Sequence, residues 1–386
     1  MSKILYIGNF LLPDKNAAAH RVIGIANAMA KYNDVMFINF VPGYCAVPQY
    51  KNYFGFKCYE CNRESNFKFK KIYRIIKGVI EENKIQCIIM YNYNSIVMQN
   101  MQRYCRKKGI IFISDITEWY EPTGSIFIKL FKAADISLRM KVLNKRADGV
   151  IVISRFLEKY YNKYVKTIRI PPLVDGNDKK WEKEPFSETE NSTFLYAGSP
   201  SKSKERLDLI MKAFSILKES HPNVKLEIIG VTEEQFVKMY SLNDKKKKYS
   251  DGVTFFGFLP HAEALSREKK ATWTIIVRDQ TRLVNAGFPT KYVESIACGT
   301  PVVTNEFSDV GEYMLKYNTG ILVKSSCDLL AGLQKAVSLS DKQYELIKTN
   351  CNLCNAFDYR TYESDLNVFL AQINRKNKTK NKKRCK

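Results

Sequence analysis

The stretch that most constrains the fold is NAGFPTKYVESIACGTPVVT, residues 285–304. Gly287 allows the backbone to approach a ligand closely, and Pro289 suits the first helical position, where its missing N–H costs nothing. Apolar residues then recur at helical spacing, namely Val293, Ile296 and Ala297. Gly299 ends that helix, and a buried strand begins just after it. The pattern predicts a loop–helix–turn–strand unit.

The same stretch predicts a binding site. The free N–H groups at a helix start form a site for an anion such as phosphate, here over residues 287–290. Lys291 and Glu294 lie one turn apart on one helix face. This combination suits a nucleoside diphosphate, with its charge on the amides and a ribose hydroxyl on Glu294. An ordinary loop–helix–strand unit with a tight turn is the alternative, which spacing alone does not exclude.

The rest of the chain alternates strands with helices. In the first half, strands are predicted at 3–8, 35–39, 87–90, 110–114, 149–153 and 168–170. Such alternation is typical of a parallel sheet wound with helices. The loop after the first strand reads GNFL from Gly8 and lacks the GxGxxG pattern that holds a dinucleotide pyrophosphate. A Rossmann dehydrogenase is therefore disfavoured.

The chain length predicts two domains, because 386 residues exceed what one hydrophobic core usually serves. Residues 175–192 are polar and poor in apolar periodicity, which indicates a linker. We therefore expect a first domain at 1–174, a second at 193–360 and a last helix at 361–374. Residues 375–386 hold eight Lys or Arg in twelve positions and are predicted to be a disordered basic tail.

The charge balance predicts anionic partners. With 62 Lys and Arg against 39 Asp and Glu, the formal net charge is +23, which favours anionic lipids, nucleic acid or polyanionic substrates. The basic tail suits an anionic membrane surface. RNA competes as its partner, but no aromatic residues interleave with these charges, so no specific nucleic-acid site is predicted.

Residues 123–146 mix bulky apolar side chains with Lys and Arg. That mixture suits a helix lying in a membrane interface, and an amphipathic helix packed on the sheet remains an equal alternative. No N-terminal signal peptide and no apolar run long enough to span a bilayer is visible. We expect a cytoplasmic protein, held peripherally on the inner face of the cell membrane.

The ten cysteines are scattered, which fits a reducing compartment. Cys58 with Cys61, and Cys351 with Cys354, have zinc-knuckle spacing. The pairs lie far apart in the sequence and no histidine is near either of them. Buried or loop thiols are favoured over a shared zinc site, and no metal site is predicted.

A second anion site is predicted at FLYAGSPSKSKER, residues 194–206. A strand, a loop of small residues and a basic helix start follow one another there, and Lys204 would neutralise diphosphate charge. A solvated basic loop is the alternative. The strand near residue 275 ends at Arg278, which it delivers beside the Gly287 loop.

Candidate acid–base residues come from the first half. SDITEWYEP, residues 114–122, follows the carboxyl end of a strand, where ligands bind in open α/β sheets. Asp115 and Glu118 are therefore candidates for proton transfer, and solvated loop acids or helix caps are the alternative. His20, at the start of the first helix, is expected on the same side, although a plain surface histidine is also consistent.

The pattern GFPTKxxExxACGTPVV, residues 287–303, resembles the C-terminal signature of nucleotide-sugar-dependent glycosyltransferases of the GT-B fold, family 4 type. It most resembles those that build bacterial capsule or other surface polysaccharides. The resemblance implies an α/β fold with two Rossmann-like domains facing across a cleft. It implies an acceptor on the first domain, a nucleotide diphosphate sugar on the second, and a last helix that crosses back.

The resemblance also implies a reaction and donor contacts. A sugar would pass to a lipid-linked glycan acceptor, with retention of configuration and without a metal or other cofactor. Donor contacts would come from Gly287, Phe288, Pro289 and Thr290. Glu294 matches the second of two family glutamates that stand eight positions apart, and it would hold the ribose. Ala286 occupies the position of the first glutamate and has no carboxylate.

Two further positions depart from the family pattern. The family has an arginine one residue after the strand-end glycine and a lysine six residues after it. Lys204 matches the lysine, whereas Ser199 stands in place of the arginine, so that contact would fall to Arg278 or Arg282. The family's histidine in the loop after residue 114 is absent, and Asp115 is the expected substitute.

Two other function classes stay open from the sequence. A nucleotide-sugar epimerase or hydrolase on the same fold would convert the donor without an acceptor. A non-catalytic basic scaffold for membrane or RNA would bind in a salt-dependent way and would have no donor site.

Overall fold

The computed structural model describes residues 1–13, 16–41, 49–62, 68–183, 192–200, 204–240 and 251–384, with side chains as far as 374. The chain divides into two compact units. The first domain comprises Met1–Val174 together with Asp358–Lys386, and the second comprises Asp175–Phe357.

Within the described residues, the first domain is built on an eight-stranded sheet of order β3-β4-β2-β1-β5-β6-β7-β8. All pairs are parallel except β3 with β4. The strands are β1 (Ser2–Gly8), β2 (Asn33–Val41), β3 (Gln49–Tyr53), β4 (Phe56–Asn62), β5 (Cys87–Tyr91), β6 (Ile111–Ile116), β7 (Gly149–Val152) and β8 (Thr167–Arg169). The helices are α1 (Ala17–Ala30), α2 (Phe69–Asn83), α3 (Ser95–Lys108), α4 (Ile126–Leu138), α5 (Arg155–Tyr161) and, from the end of the chain, α14 (Glu363–Arg384).

The central strand β1 shows why this sheet is covered on both faces. Its residues from Ile4 to Ile7 are all buried, a continuous apolar run typical of parallel sheets. Because successive side chains point to opposite faces, Tyr6 packs in a core with α1 and α14. Leu5 and Ile7 pack in a second core with α2 and α3.

The end of the chain belongs to the first domain. Leu366, Phe369 and Ile373 of α14 are buried in its core. The backbone stays helical to Arg384, where the sequence predicts disorder from residue 375. Packed residues nucleate this helix, and each further residue then adds a hydrogen bond without a new nucleation cost.

Helix α4 differs from the other helices of this domain, because none of its residues is buried. Ile126 and Phe127 are 77% and 85% exposed, and Leu130 is 64% exposed. The alternative of an amphipathic helix packed on the sheet is therefore wrong for α4, whereas Met140 and Leu143, just after it in the same predicted segment, are buried. Among the helices that the structure describes, none is both long and apolar enough to cross a membrane.

The second domain has a parallel sheet of order β11-β10-β9-β12-β13-β14 in the described residues. The strands are β9 (Thr193–Ala197), β10 (Lys225–Ile229), β11 (Val253–Gly257), β12 (Trp273–Ile276), β13 (Val302–Asn305) and β14 (Gly320–Val323). The helices are α6 (Leu207–Ser220), α7 (Glu233–Tyr240), α8 (His261–Lys270), α9 (Arg282–Ala286), α10 (Thr290–Ala297), α11 (Val310–Tyr317), α12 (Leu329–Ser338) and α13 (Asp341–Leu353).

The predicted linker differs from the structure. Residues 175–183 belong to the second domain, and Trp181 within them is only 5% exposed. Burial of a large aromatic side chain outweighs the polar composition that suggested a linker. Residues 184–191 lie outside the described residues. At the other boundary the second domain ends at Phe357, before the predicted limit of 360.

Candidate functional site

The carboxyl edge of the second sheet is shaped by glycines that end neighbouring strands. Gly198 after β9 has φ 142°, and Gly230 after β10 has φ 100°, a region that L side chains rarely adopt. A Cβ atom on Gly230 would lie 2.2 Å from the carbonyl oxygen of Gly198. A Cβ on Gly198 would lie 2.1 Å from Nζ of Lys291. The backbone of Gly198 therefore lies close to both Gly230 and the Lys291 side chain at this edge.

The loop before α10 is held by side chains on both sides. The Gly287 carbonyl accepts a hydrogen bond from Ser308 Oγ, and the Ser308 amide donates to Asn285 Oδ1 at 2.9 Å. Phe288 is buried, with its ring centroid 5.5 Å from that of Tyr313. The Phe288 side chain thus anchors the loop within the core, and the donor contact predicted for Phe288 is left to its backbone N–H.

Helix α10 begins at Thr290, and Pro289 occupies the N-cap, one position earlier than the sequence predicts. The first amides of a helix have no partner within the helix, and its dipole favours an anion there. Because the preceding loop is fixed, these amides are presented in a set geometry. Local structure of this kind can bind a phosphate group.

A charge cluster lies at the same edge, with Glu205 buried and both Arg278 and Lys291 half-buried. The Glu205 carboxylate is 5% exposed and accepts hydrogen bonds from Tyr196 Oη and from Arg278 Nη2 at 2.8 Å. Lys291 Nζ approaches both of its oxygens, at 2.8 and 2.9 Å. Burial alone would raise the pKa of Glu205, but Lys291 and Arg278 lower it to about 2.

Two cations therefore share one carboxylate. Burial lowers the pKa of Lys291 from its ordinary value, and the charge of Arg278 adds to that effect while Glu205 opposes it. Burial raises the pKa of Tyr196 well above its usual range, so this phenol is neutral. The cluster of Tyr196, Glu205, Arg278 and Lys291 carries one net positive charge.

Neighbouring contacts fix the positions of these residues. The Arg206 amide donates to the Val277 carbonyl at 3.0 Å, and its guanidinium pairs with Asp279 at 2.7 Å. These contacts tie the start of α6 to the end of β12. Asn305 holds the Arg278 backbone by accepting from its N–H at 3.0 Å and donating to its carbonyl at 2.8 Å.

Glu294 lies one turn into α10, half-buried, with its Oε1 atom 3.5 Å from His261 Nε2. Near it is a second buried carboxyl, Glu268, which accepts a 2.5 Å hydrogen bond from Ser295. Burial, helped by the charge of Glu294, raises the pKa of Glu268 to about 8. Glu268 is therefore mostly protonated at neutral pH.

The structure places the other predicted donor residues as follows. Lys204 is half-buried just before α6, and Ser199 is exposed just after Gly198. Arg282 is exposed at the first position of α9, and Ala286 is fully buried at its last. Because residue 286 is alanine, this position offers no carboxylate to a ligand.

Asp115, predicted as an acid–base residue, is a structural residue in the first domain. Its side chain is fully buried. It accepts from Tyr6 Oη and pairs with Arg21, whose Nη2 lies 2.7 Å away. Arg21 also donates to the Ile170 carbonyl at 2.9 Å. Both carboxylate oxygens are engaged and closed off from solvent, which contradicts the prediction.

Two other predicted residues of the first domain are more accessible. Glu118 follows β6 and His20 lies in the first turn of α1, and both are half-buried. The structure leaves these two as the acid–base candidates.

Glu205 and Tyr196 were not identified from the sequence as site residues. Glu205 lies between Lys204 and Arg206, so the sequence there predicts a basic helix start. The presence of Glu205 among these basic residues is the sequence feature that points to a paired charge there. Its partner Lys291 stands 86 positions away in the sequence, and spacing cannot show such a contact.

The two cysteine pairs lie in different domains. Cys58 and Cys61 lie in β4 of the first domain, whereas Cys351 and Cys354 lie in the second. Burial raises the thiol pKa of all four. Within the described residues, no group of three or more His, Cys, Asp or Glu is arranged to hold a metal ion.

Comparison with known families identifies the second domain. Residues 177–352 match the family described as Glycosyl transferases group 1. This part of the chain is similar to the group 1 glycosyltransferases. The match covers the Gly198 edge, the charge cluster and α10. No curated protein sequence matches the chain.

Solved structures show the fold of the whole chain. Sucrose-phosphate synthase from Thermosynechococcus elongatus is 16% identical, covers 97% of this chain and 99% of its own, and has a TM-score of 0.69. HepE from Anabaena in complex with UDP is 15% identical over 96% and 100% of the chains, with a TM-score of 0.67. WaaG, a glycosyltransferase involved in lipopolysaccharide biosynthesis, is 13% identical over 94% and 99%, with a TM-score of 0.64.

Identities this low establish the fold alone. These neighbours are GT-B proteins, and the prediction of an α/β fold with two Rossmann-like domains is confirmed.

Proposed function

We propose that this group 1 glycosyltransferase moves a sugar from a nucleotide diphosphate sugar to a lipid-linked glycan acceptor in cell-surface polysaccharide synthesis. The observation that carries the proposal is the carboxyl edge of the second sheet. There, α10 amides and the charge cluster lie beside Glu294, whose carboxylate suits a ribose hydroxyl. Solved neighbours in complex with UDP and glucose, or with UDP-2-fluoro glucose, support this donor class.

The proposed reaction breaks the bond between the anomeric carbon and the β-phosphate oxygen. A hydroxyl oxygen of the acceptor forms the new bond to that carbon, its proton leaves to a base, and the nucleoside diphosphate departs. The charge that develops on the diphosphate is stabilised by α10 amides, Lys204 and Arg278. Preorganised donors of this kind usually make the largest electrostatic contribution to catalysis. The scheme uses these protein groups and no metal, and we propose retention of configuration.

The acceptor is proposed to bind the first domain. Since Asp115 is closed off by Arg21, the acid–base candidates there are Glu118 and His20. Glu118 follows the carboxyl end of β6, the edge at which ligands bind in such sheets.

Membrane attachment is proposed for the first domain as well. The exposed apolar side chains of α4 lie among lysines, including Lys129 and Lys132. A helix with this mixture binds at the boundary of headgroups and acyl chains, and the basic residues 375–386 would add electrostatic attraction. The protein would then act as a cytoplasmic, peripheral enzyme on the inner face of the cell membrane.

The test is a donor screen. Pure protein is incubated with UDP-, GDP-, ADP- and dTDP-sugars and with membrane extract, and nucleotide release and glycosylated lipid are measured. We expect one donor to be consumed, with the product in the lipid fraction. Glu294→Ala should reduce donor affinity about 10- to 100-fold, the range for hydrogen bonds to a charged group. Glu345→Ala removes an exposed glutamate on α13 of the same domain and should change nothing.

Several outcomes would overturn the proposal. If no nucleotide sugar binds or is consumed, with or without membranes, the transferase proposal fails. Free sugar or an epimerised donor formed without an acceptor would indicate the hydrolase or epimerase alternative.

A further inference from the structure

Lys291 occupies the space that the glycine at the end of β9 leaves open. Its Cε and Nζ atoms would both lie 2.1 Å from a Cβ placed on Gly198. Nζ also lies 3.2 Å from Tyr196 Oη and 4.4 Å from the centre of that ring. The lysine comes from the second residue of α10. Its ammonium group is therefore held where β9 and the start of α10 approach one another.

The charges around this ammonium group do not balance. Glu205 faces two cations, Lys291 and Arg278, and Tyr196 adds no charge. Glu294 also acts on Lys291, but less than Arg278 does. An uncompensated buried charge is costly. An anion bound at the α10 amides would offset that excess.

We infer that Lys291 binds the diphosphate of the donor and that Glu205 holds the Lys291 ammonium group in position for it. The inference rests on the proposed function and adds a residue to its donor site. Lys291 would also supply a positive charge beside Ser199, whose side chain has no charge. Among the hydrogen bonds that Nζ makes to described residues, the one to Tyr196 is the longest. It is the hydrogen bond that Lys291 gives up to a phosphate oxygen, while both Glu205 contacts keep the side chain extended.

The test measures binding by isothermal titration calorimetry. The probes are UDP, GDP, ADP and dTDP, and the one that binds the wild type is then compared with its monophosphate and its nucleoside. Lys291→Met should weaken the diphosphate about 10- to 100-fold, because a charge-assisted hydrogen bond is lost. Nucleoside affinity should stay unchanged, and Lys291→Arg should keep most of the diphosphate affinity. Lys225→Met removes an exposed lysine at the amino end of β10 and serves as the matched control.

A double variant separates binding from a structural role. Lys291→Met combined with Glu205→Gln removes the lysine and the carboxylate together. No buried carboxylate is then left without its lysine partner. Weak diphosphate binding in this folded double variant supports the inference. If the double variant binds like the wild type, Lys291 only neutralises Glu205 and the inference is overturned.

Failure of the inference differs from failure of the proposed function. If the wild type binds a diphosphate and Lys291→Met binds it equally well, only the inference fails. If none of the four diphosphates binds the wild type, both fail.

Discussion

Each domain buries a carboxylate that accepts a hydrogen bond from a tyrosine on the first strand of its sheet. In the first domain Tyr6 of β1 donates to Asp115, which pairs with one cation among the described residues, Arg21. In the second domain Tyr196 of β9 donates to Glu205, which pairs with two cations. The two arrangements share their parts and differ in their charge balance.

The difference separates a structural ion pair from a candidate binding site. One cation and one carboxylate cancel in the first domain, and solvent is excluded from both. The second domain has an extra cation at a sheet edge that also carries helix-start amides. Buried pairs require their own partners to remain stable, whereas an excess of one sign attracts a ligand of the other sign.

The largest expected effect on stability comes from breaking the ion pair between Arg21 and Asp115. Arg21→Met leaves Asp115 buried without its cation and should lower the free energy of unfolding by about 3–5 kcal/mol. The measurement is urea denaturation followed by circular dichroism. Lys31→Met is the control, because its pair with Glu363 is exposed on the lysine side and contributes about 0–1 kcal/mol. Equal stability of the two variants would show that the Arg21 pair is no more structural than a surface pair.

The next effect concerns acid stability through Glu205. Its folded pKa of about 2 lies below the ordinary 4.5. Its stabilisation is therefore present above pH 4.5 and is lost as the pH falls through 2. The loss should amount to about 3 kcal/mol, at about 1.4 kcal/mol per pKa unit. Glu205→Gln should lose less stability than the wild type between pH 4.5 and 2.5 in urea titrations. Parallel curves for the two proteins would contradict the cation pairing.

The smallest effect concerns Glu268, a buried carboxyl whose folded pKa is raised to about 8 from 4.5. Because the folded state holds the proton, its contribution is complete below pH 4.5 and is lost as the pH rises through 8. Between pH 6 and 8 the wild type should lose about 2 kcal/mol that Glu268→Gln retains. Thermal unfolding at these two pH values measures the difference. A variant as pH-dependent as the wild type would show that Glu268 is already ionised at pH 6.

The sequence by itself determined the local elements and the fold class. At residues 285–304, glycine, proline and an apolar repeat act over a few positions, and the structure has the loop, helix α10 and strand β13 there. Alternating strands and helices predicted two α/β domains for the same reason. Sequence patterns that depend only on neighbouring residues predict local structure without knowledge of the tertiary fold.

Only the tertiary structure decided which charged residues face one another. Asp115 and Tyr6 are 109 positions apart, and Lys291 and Glu205 are 86 apart. Residues at such separations meet because parallel strands bring their carboxyl ends to one edge. Burial then closed off Asp115 and drew Trp181 into the second domain. Whether a carboxylate is a catalytic group or a buried counter-ion depends on solvent exclusion and nearby charge, and neither is present in the order of residues.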